Sequence, residues 1–142
     1  MTTDGAPAQT ALVLVAAGSS TRMGGVKKEY LPLYGGTVLS CAARAFLAAL
    51  PVDAVAVAFP RAGTPGECAA AQSECMAAFF ADGAAHPERV LFVPGGATRQ
   101  ESVLNALRAV HAALGDDAIV FIHDGARPFV SADIIRETYR AA

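Results

Sequence analysis

The sequence predicts an α/β protein with three layers, α/β/α, around a mainly parallel sheet. Two observations predict this. Four short apolar runs, at Leu12–Val15, Val55–Phe59, Arg89–Val93 and Ala118–Ile122, are bounded by turn residues and have the length and composition of buried strands. The stretches between them return an apolar residue every three or four positions, which is the helical period. Strand and helix patterns that alternate in this way imply βαβ units, a parallel sheet and right-handed crossovers. A strand order of 3-2-1-4 would set the loop after the first strand beside the loop after the fourth.

In chain order, Leu12 to Val15 is the first strand, and Ala16, Ala17, Gly18, Ser19 and Ser20 follow as a run of small residues. Val38 to Leu50 is helical, with Leu39, Ala42, Ala43, Phe46, Leu47 and Leu50 on the helical period, and Pro51 ends it. The second strand is Val55–Phe59, and Pro60 to Gly63 is a turn. Thr64, Pro65 and Glu67 are a helix start, with a capping hydroxyl, proline at the first helical position and a carboxylate three beyond the cap. That helix runs to about Phe80 and stops at Asp82-Gly83. After the third strand, Thr98 to Glu101 form a second capping box that opens a helix from Arg99 to Leu114, closed by Gly115. After the fourth strand, Ser131 caps a last helix from Ala132 onward.

Composition excludes several classes of function. The 142 residues are 54% hydrophobic and 17% charged, too apolar for disorder and enough for one core. A net charge of −2 argues against nucleic acid or an anionic membrane as a partner held by bulk charge. Met1 to Gln9 has neither a positive charge nor an apolar run, so residues 1–10 are expected to be a flexible tail rather than a leader. No stretch reaches the roughly 18 apolar residues of a membrane span, and the cytoplasm is the expected location. Cys41, Cys68 and Cys75 form no C-x-x-C pair. On one helix, Cys68 and Cys75 would stand about 10 Å apart, beyond the roughly 7 Å reach of a disulfide. Free thiols are expected.

The small-residue loop after the first strand points to phosphate binding. Small residues let backbone N–H groups approach a ligand, and Arg22, Lys27 and Lys28 add positive charge. The run is neither a Walker A loop nor a dinucleotide fingerprint. Gly95-Gly96 before a helix N-terminus is a second place for polar ligand groups, with Ser102 in the helix's first turn. Asp124, at the end of the fourth strand and across from the basic loop, is placed to hold a magnesium ion. Asp before Gly is also a common turn pair. His123 beside it is a candidate support for that carboxylate. His111 and His86 carry no ligand pattern.

Ala16-Ala17-Gly18 with Arg22, Met23, Lys28 and Leu31-Pro32 resembles the signature loop of sugar-nucleotide pyrophosphorylases. Adding Gly95 to Val103 and His123 to Pro128, in order and at matching separations, the chain resembles the 2-C-methyl-D-erythritol 4-phosphate cytidylyltransferase family. The related ribitol-5-phosphate cytidylyltransferases share the three blocks in modified form. The resemblance implies a Rossmann-like fold of the nucleotide-diphospho-sugar transferase type. It implies transfer of a cytidylyl group from CTP to 2-C-methyl-D-erythritol 4-phosphate, with pyrophosphate released and a divalent cation such as Mg2+ as cofactor. Arg22 and Lys28 match the catalytic cations. Ala16, Ala17 and Gly18 match backbone contacts to the nucleotide, and Gly96, Ala97 and Ser102 match the cytosine pocket. Asp124 matches the metal position, and Arg127 a position on the acceptor side.

Two residues depart from the family pattern. Val15 stands where many relatives have Pro, and Ala97 where some carry Asp, so that a side-chain contact there would pass to the backbone. The family also continues beyond this length, with further strands, acceptor-binding residues and a dimerising arm. Residues 11–142 are therefore expected to be a nucleotidyltransferase domain truncated on its C-terminal side. The activity and the homodimer belong to the complete enzyme, and this chain alone is expected to be inactive or poorly folded. Two alternatives stand beside this reading: another sugar-phosphate nucleotidyltransferase, ribitol phosphate included, and an inactive nucleotide-binding fragment.

Overall fold

The computed structural model describes residues 8–18, 27–83 and 86–142. Strands β1 (Thr10–Val15), β4 (Ala54–Phe59), β5 (Arg89–Pro94) and β6 (Ile119–Asp124) form one sheet in the order β5-β4-β1-β6, every pair parallel. This is the expected order of third, second, first and fourth strands. A small hairpin of β2 (Pro32–Leu33) and β3 (Gly36–Thr37) stands apart. The helices are α1 (Val38–Ala49), α2 (Pro65–Phe79), α3 (Arg99–Leu114) and α4 (Ala132–Ala141). Among the described residues no helix is long and apolar enough to cross a membrane.

The layers follow from the two-residue period of β1. Leu12 and Leu14 point into one cluster with Leu39 and Phe46 of α1, Cys75 and Phe79 of α2, and Ile135 of α4. Ala11, Val13 and Val15 point the other way, onto Ala106 and Val110 of α3. Burial of each large side chain such as Leu12 or Leu14 contributes about 1.5–3 kcal/mol, so the central strand anchors both layers. The face toward α3 carries smaller side chains, with alanines at 11, 56 and 106, which allow close packing of helix on sheet.

Several boundaries differ from the sequence expectation. β1 begins at Thr10, inside the stretch 1–10 expected to be a tail. Its N–H donates to Asp53 Oδ2 at 2.8 Å, and it pairs with Ile119 on β6. β6 extends two residues past Ile122, because Val15 and Asp124 still lie in register. The hairpin leaves no mark in the hydrophobic pattern because its strands are two residues long. Its turn needs a left-handed backbone at Tyr34 (φ 47°) and Gly35 (φ 78°), a role more usual for Asn-Gly. The first helix is capped by a box with Ser40 in place of the usual Glu or Gln: Ser40 N–H donates to Thr37 Oγ1 at 3.1 Å and Thr37 N–H to Ser40 Oγ at 2.8 Å. The three cysteines are free, as expected.

Candidate functional site

A parallel sheet opens a crevice beyond the carboxyl ends of its strands, and here the strand order reverses between β1 and β6. A cleft of about 790 Å³ lies at that end. Ala17 and Gly18 leave β1 into it, Lys28 stands over it, Gly96 and Ala97 come from the turn after β5, and Asp124 ends β6. The sheet thus gathers into one cavity residues far apart in the chain.

The turn after β5 is held by its own helix. Gly95 N–H donates to Phe59 O at 2.7 Å. Gly96 N–H donates to Ser102 Oγ at 3.0 Å, and that hydroxyl donates to Thr98 O at 3.1 Å. Ser102 is 2% exposed, so it is neither a solvent-facing helix residue nor a free hydroxyl, and its bonds brace the turn. The capping box at Thr98 is displaced by one residue. Glu101 N–H donates to Thr98 Oγ1 at 3.1 Å, but the Glu101 carboxylate accepts from Ala97 N–H at 2.8 Å. The Ala97 amide is therefore committed to Glu101, and the substitute backbone contact expected there cannot come from this N–H. Close packing also explains both glycines. A Cβ on Gly95 would lie 2.3 Å from Ala17 Cβ, and one on Gly96 would lie 2.2 Å from Glu101 Cβ.

The two adjacent lysines part company. Lys28 opens a one-turn 3-10 helix, Lys28–Tyr30, and is exposed into the cleft. Lys27 is 9% exposed and turns inward, where Nζ donates to Gly18 O at 2.5 Å and to Glu29 Oε2 at 3.0 Å. Behind this turn Tyr30 meets Cys75 of α2. Burial pushes the Tyr30 phenol far above its usual range and the Cys75 thiol up to about 11.

Asp124 is half-buried. Its Oδ1 accepts from Ala126 N–H at 2.9 Å, and its Oδ2 lies 3.9 Å from Arg127 Nε. Arg127 is largely exposed and lines an adjoining hollow of about 580 Å³, which Lys28, His123 and Asp124 share. His123 does not support the carboxylate. Neighbouring residues of a strand face opposite sides, and its ring packs 4.9 Å from Phe46 while Nε2 meets Arg127 O at 2.8 Å. It braces the turn that carries Asp124. No group of three His, Cys, Asp or Glu fit to hold a metal exists among the described residues. A single carboxylate suits magnesium, which keeps several waters and takes its other ligands from substrate phosphates.

Of the remaining sequence candidates, Ala16 lies beneath the cleft rather than in it. It is fully buried, and its N–H donates to Ala58 O at 3.0 Å, so that amide does not reach a ligand. Arg22 lies outside the described residues. Two cations were missed. Arg61, in the turn after β4, and Arg99, at the start of α3, both line the cleft. Arg61 could have been found, because it directly follows a parallel strand's carboxyl end. His111 lies on the surface against Asp116 at 2.5 Å, as expected.

The family model described as IspD, 2-C-methyl-D-erythritol 4-phosphate cytidylyltransferase, matches residues 10–142. A 2-C-methyl-D-erythritol 4-phosphate cytidylyltransferase of Symbiobacterium thermophilum is 36% identical over 132 residues, covering 92% of this chain and 49% of the relative. One from Streptomyces coelicolor is 41% identical, covering 91% and 44%. The crystal structure of the Francisella tularensis 2-C-methyl-D-erythritol 4-phosphate cytidylyltransferase superposes with a TM-score of 0.63 at 28% identity, over 94% of this chain and 52% of that one. The chain thus spans about half the length of the curated relatives it matches.

Proposed function

The chain belongs to the 2-C-methyl-D-erythritol 4-phosphate cytidylyltransferase family, and from that premise we propose that its cleft binds CTP for cytidylyl transfer to 2-C-methyl-D-erythritol 4-phosphate. One observation carries the proposal: Lys28 and Asp124, from opposite ends of the chain, face one cleft where the strand order reverses. A cation and a carboxylate there, beside a turn of small residues, suit a triphosphate and its counter-ion.

In the proposed reaction an oxygen of the acceptor's phosphate attacks the α-phosphorus of CTP in line. The bond from that phosphorus to the bridging oxygen breaks, and pyrophosphate leaves with the electron pair. Charge grows on the α-phosphate as this happens. Lys28 is a mobile point charge and Arg22 a planar fork of donors, and both would stabilise that charge. Asp124 would hold the magnesium ion, which when bound neutralises phosphate charge. The amides of Gly96 and Ala97 are committed to Ser102 and Glu101. The turn therefore offers a base its carbonyl oxygens, the acceptors that the 4-amino group of cytosine needs. Arg127, which lines the adjoining hollow, would meet the acceptor's phosphate. A homodimer in the cytoplasm is the proposed state of the full-length enzyme.

The test is pyrophosphate release from CTP and Mg2+, with methylerythritol phosphate compared against ribitol phosphate, in the full-length enzyme, in its Arg22→Ala and Lys28→Ala variants, and in the 142-residue chain by itself. Release with methylerythritol phosphate alone, reduced by on the order of a hundredfold or more in each variant, is the expected result. Release that prefers ribitol phosphate, or that survives Lys28→Ala, overturns it. No release from a chain that CTP stabilises against heat would mark a nucleotide-binding half without its acceptor half.

A further inference from the structure

Lys27 and Glu29 form a buried ion pair beside the cleft, each less than a tenth exposed. Lysine is almost never buried unless paired, and a buried pair gives little net stability compared with apolar side chains of the same size. What such a pair does impose is geometry. The Lys27 ammonium donates to Glu29 Oε2 and to Gly18 O at once, and it stands 5.8 Å from the centre of the Tyr30 ring. Gly18 belongs to the turn that leaves β1, and Glu29 to the 3-10 turn that carries Lys28. One ammonium therefore joins two walls of the cleft, one of them nine residues before Lys27 in the chain. Glu29 balances its charge and keeps it inside, while Lys28, the residue between them, faces the cavity.

We propose that Lys27 is a positioning residue: through Gly18 O and Glu29 it fixes the distance between the β1 turn and Lys28, and so sets the spacing at which the phosphates of a nucleotide are gripped. The proposal rests on the reading of this cleft as a CTP site.

The test separates a tether from a merely structural ion pair by comparing Lys27→Met, Glu29→Gln and the double variant Lys27→Met/Glu29→Gln in the full chain. Each is measured for thermal midpoint and for CTP affinity with Mg2+ by calorimetry. Lys27→Met leaves a buried carboxylate alone and is expected to lower the midpoint sharply. The double variant removes that charge and is expected to recover most of the midpoint, yet still to bind CTP about tenfold or more weakly, because Gly18 O has lost its donor. Glu29→Gln keeps the donor and is expected to weaken CTP by no more than about threefold. A double variant that binds CTP like the parent overturns the proposal. Should the Met variants fail to fold, a Glu29→Gln chain of parental stability that loses tenfold or more in affinity overturns it equally. If the parent itself binds no CTP, the CTP reading fails, and amide exchange decides the tether separately. Residues 28–33 are expected to exchange about tenfold faster in the double variant than in Glu29→Gln. Equal exchange refutes the tether.

Discussion

Gly95→Ala tests whether the turn after β5 is as closely seated on β1 as the cleft requires. The added methyl carbon would lie 2.3 Å from Ala17 Cβ, 2.8 Å from Ser102 Oγ and 3.1 Å from Phe59 O. Carbon atoms rest about 3.5–4.0 Å apart, so the turn must retreat by more than 1 Å, roughly, since Ala17 has no torsion with which to yield. Overpacking of this kind costs about 1–3 kcal/mol. The retreat also stretches the bonds from Gly95 N–H to Phe59 O and from Gly96 N–H to Ser102 Oγ, now 2.7 and 3.0 Å. Each is worth about 0.5–1.5 kcal/mol. A loss of about 3 kcal/mol is expected in urea unfolding followed by circular dichroism, or a midpoint lower by roughly 6–12 °C. Adding Ala17→Gly removes the nearest clash and is expected to restore at least about 1 kcal/mol. Gly66→Ala is the control. It lies in α2 with nothing within 4 Å of its Cβ position, so a gain of about 0.5–1 kcal/mol is expected. A loss below about 0.5 kcal/mol for Gly95→Ala would refute the close approach and the cleft shape derived from it.

Thr37→Ala removes an oxygen that accepts from Ser40 N–H at 3.1 Å and donates to Ala78 O at 2.6 Å, joining the start of α1 to the end of α2. It is expected to cost about 2 kcal/mol in the same assay, and Thr37→Ser less than about 1 kcal/mol. Cys75 ties stability to alkaline pH. Burial holds its thiol up at about 11, above the ordinary thiol value of 9.0, so below pH 9 both folded and unfolded chains keep the proton. Above that the unfolded chain releases it first, and stability is expected to fall by up to about 1.4 kcal/mol per pH unit until pH 11. Tyr30, also raised by burial, steepens the loss above pH 10. Denaturation at pH 8 and 10.5 checks the slope, which Cys75→Ala should reduce. A thiol reagent at pH 8 should titrate the half-buried Cys41 and Cys68 in the native chain and Cys75 only on unfolding.

The fold was legible because its signals are local and agree with one another. β1, β4 and β5 are apolar runs between turn residues, and Thr64, Thr98 and Ser131 each accept a backbone N–H three residues on. The β2–β3 hairpin was not legible, since two-residue strands show no alternation and Tyr34 is an unusual residue for a left-handed turn. In the cleft, Gly96 and Asp124 could be placed because each stands at the carboxyl end of a strand of the parallel sheet, and Lys28 because it belongs to the basic, small-residue stretch that follows β1. Other roles depend on contacts that cross the chain. Nothing in Lys27-Lys28 says which lysine is buried; only the nearness of Gly18 O and Glu29 decides it. The commitments of Ser102, Glu101 and Ala16 to neighbouring backbone groups were hidden for the same reason. His123 adjoins Asp124 in sequence, yet strand alternation alone puts it on the opposite face.

Calorimetric titration of the chain with CTP and Mg2+, parent against Lys28→Ala, addresses the cleft most directly. Saturable binding at one site, weakened about tenfold or more by Lys28→Ala with the thermal midpoint unchanged, is the expected result. Binding that is unaffected by loss of Lys28, or no binding by a chain that unfolds cooperatively, would contradict the assignment of this cleft to a nucleotide's phosphates.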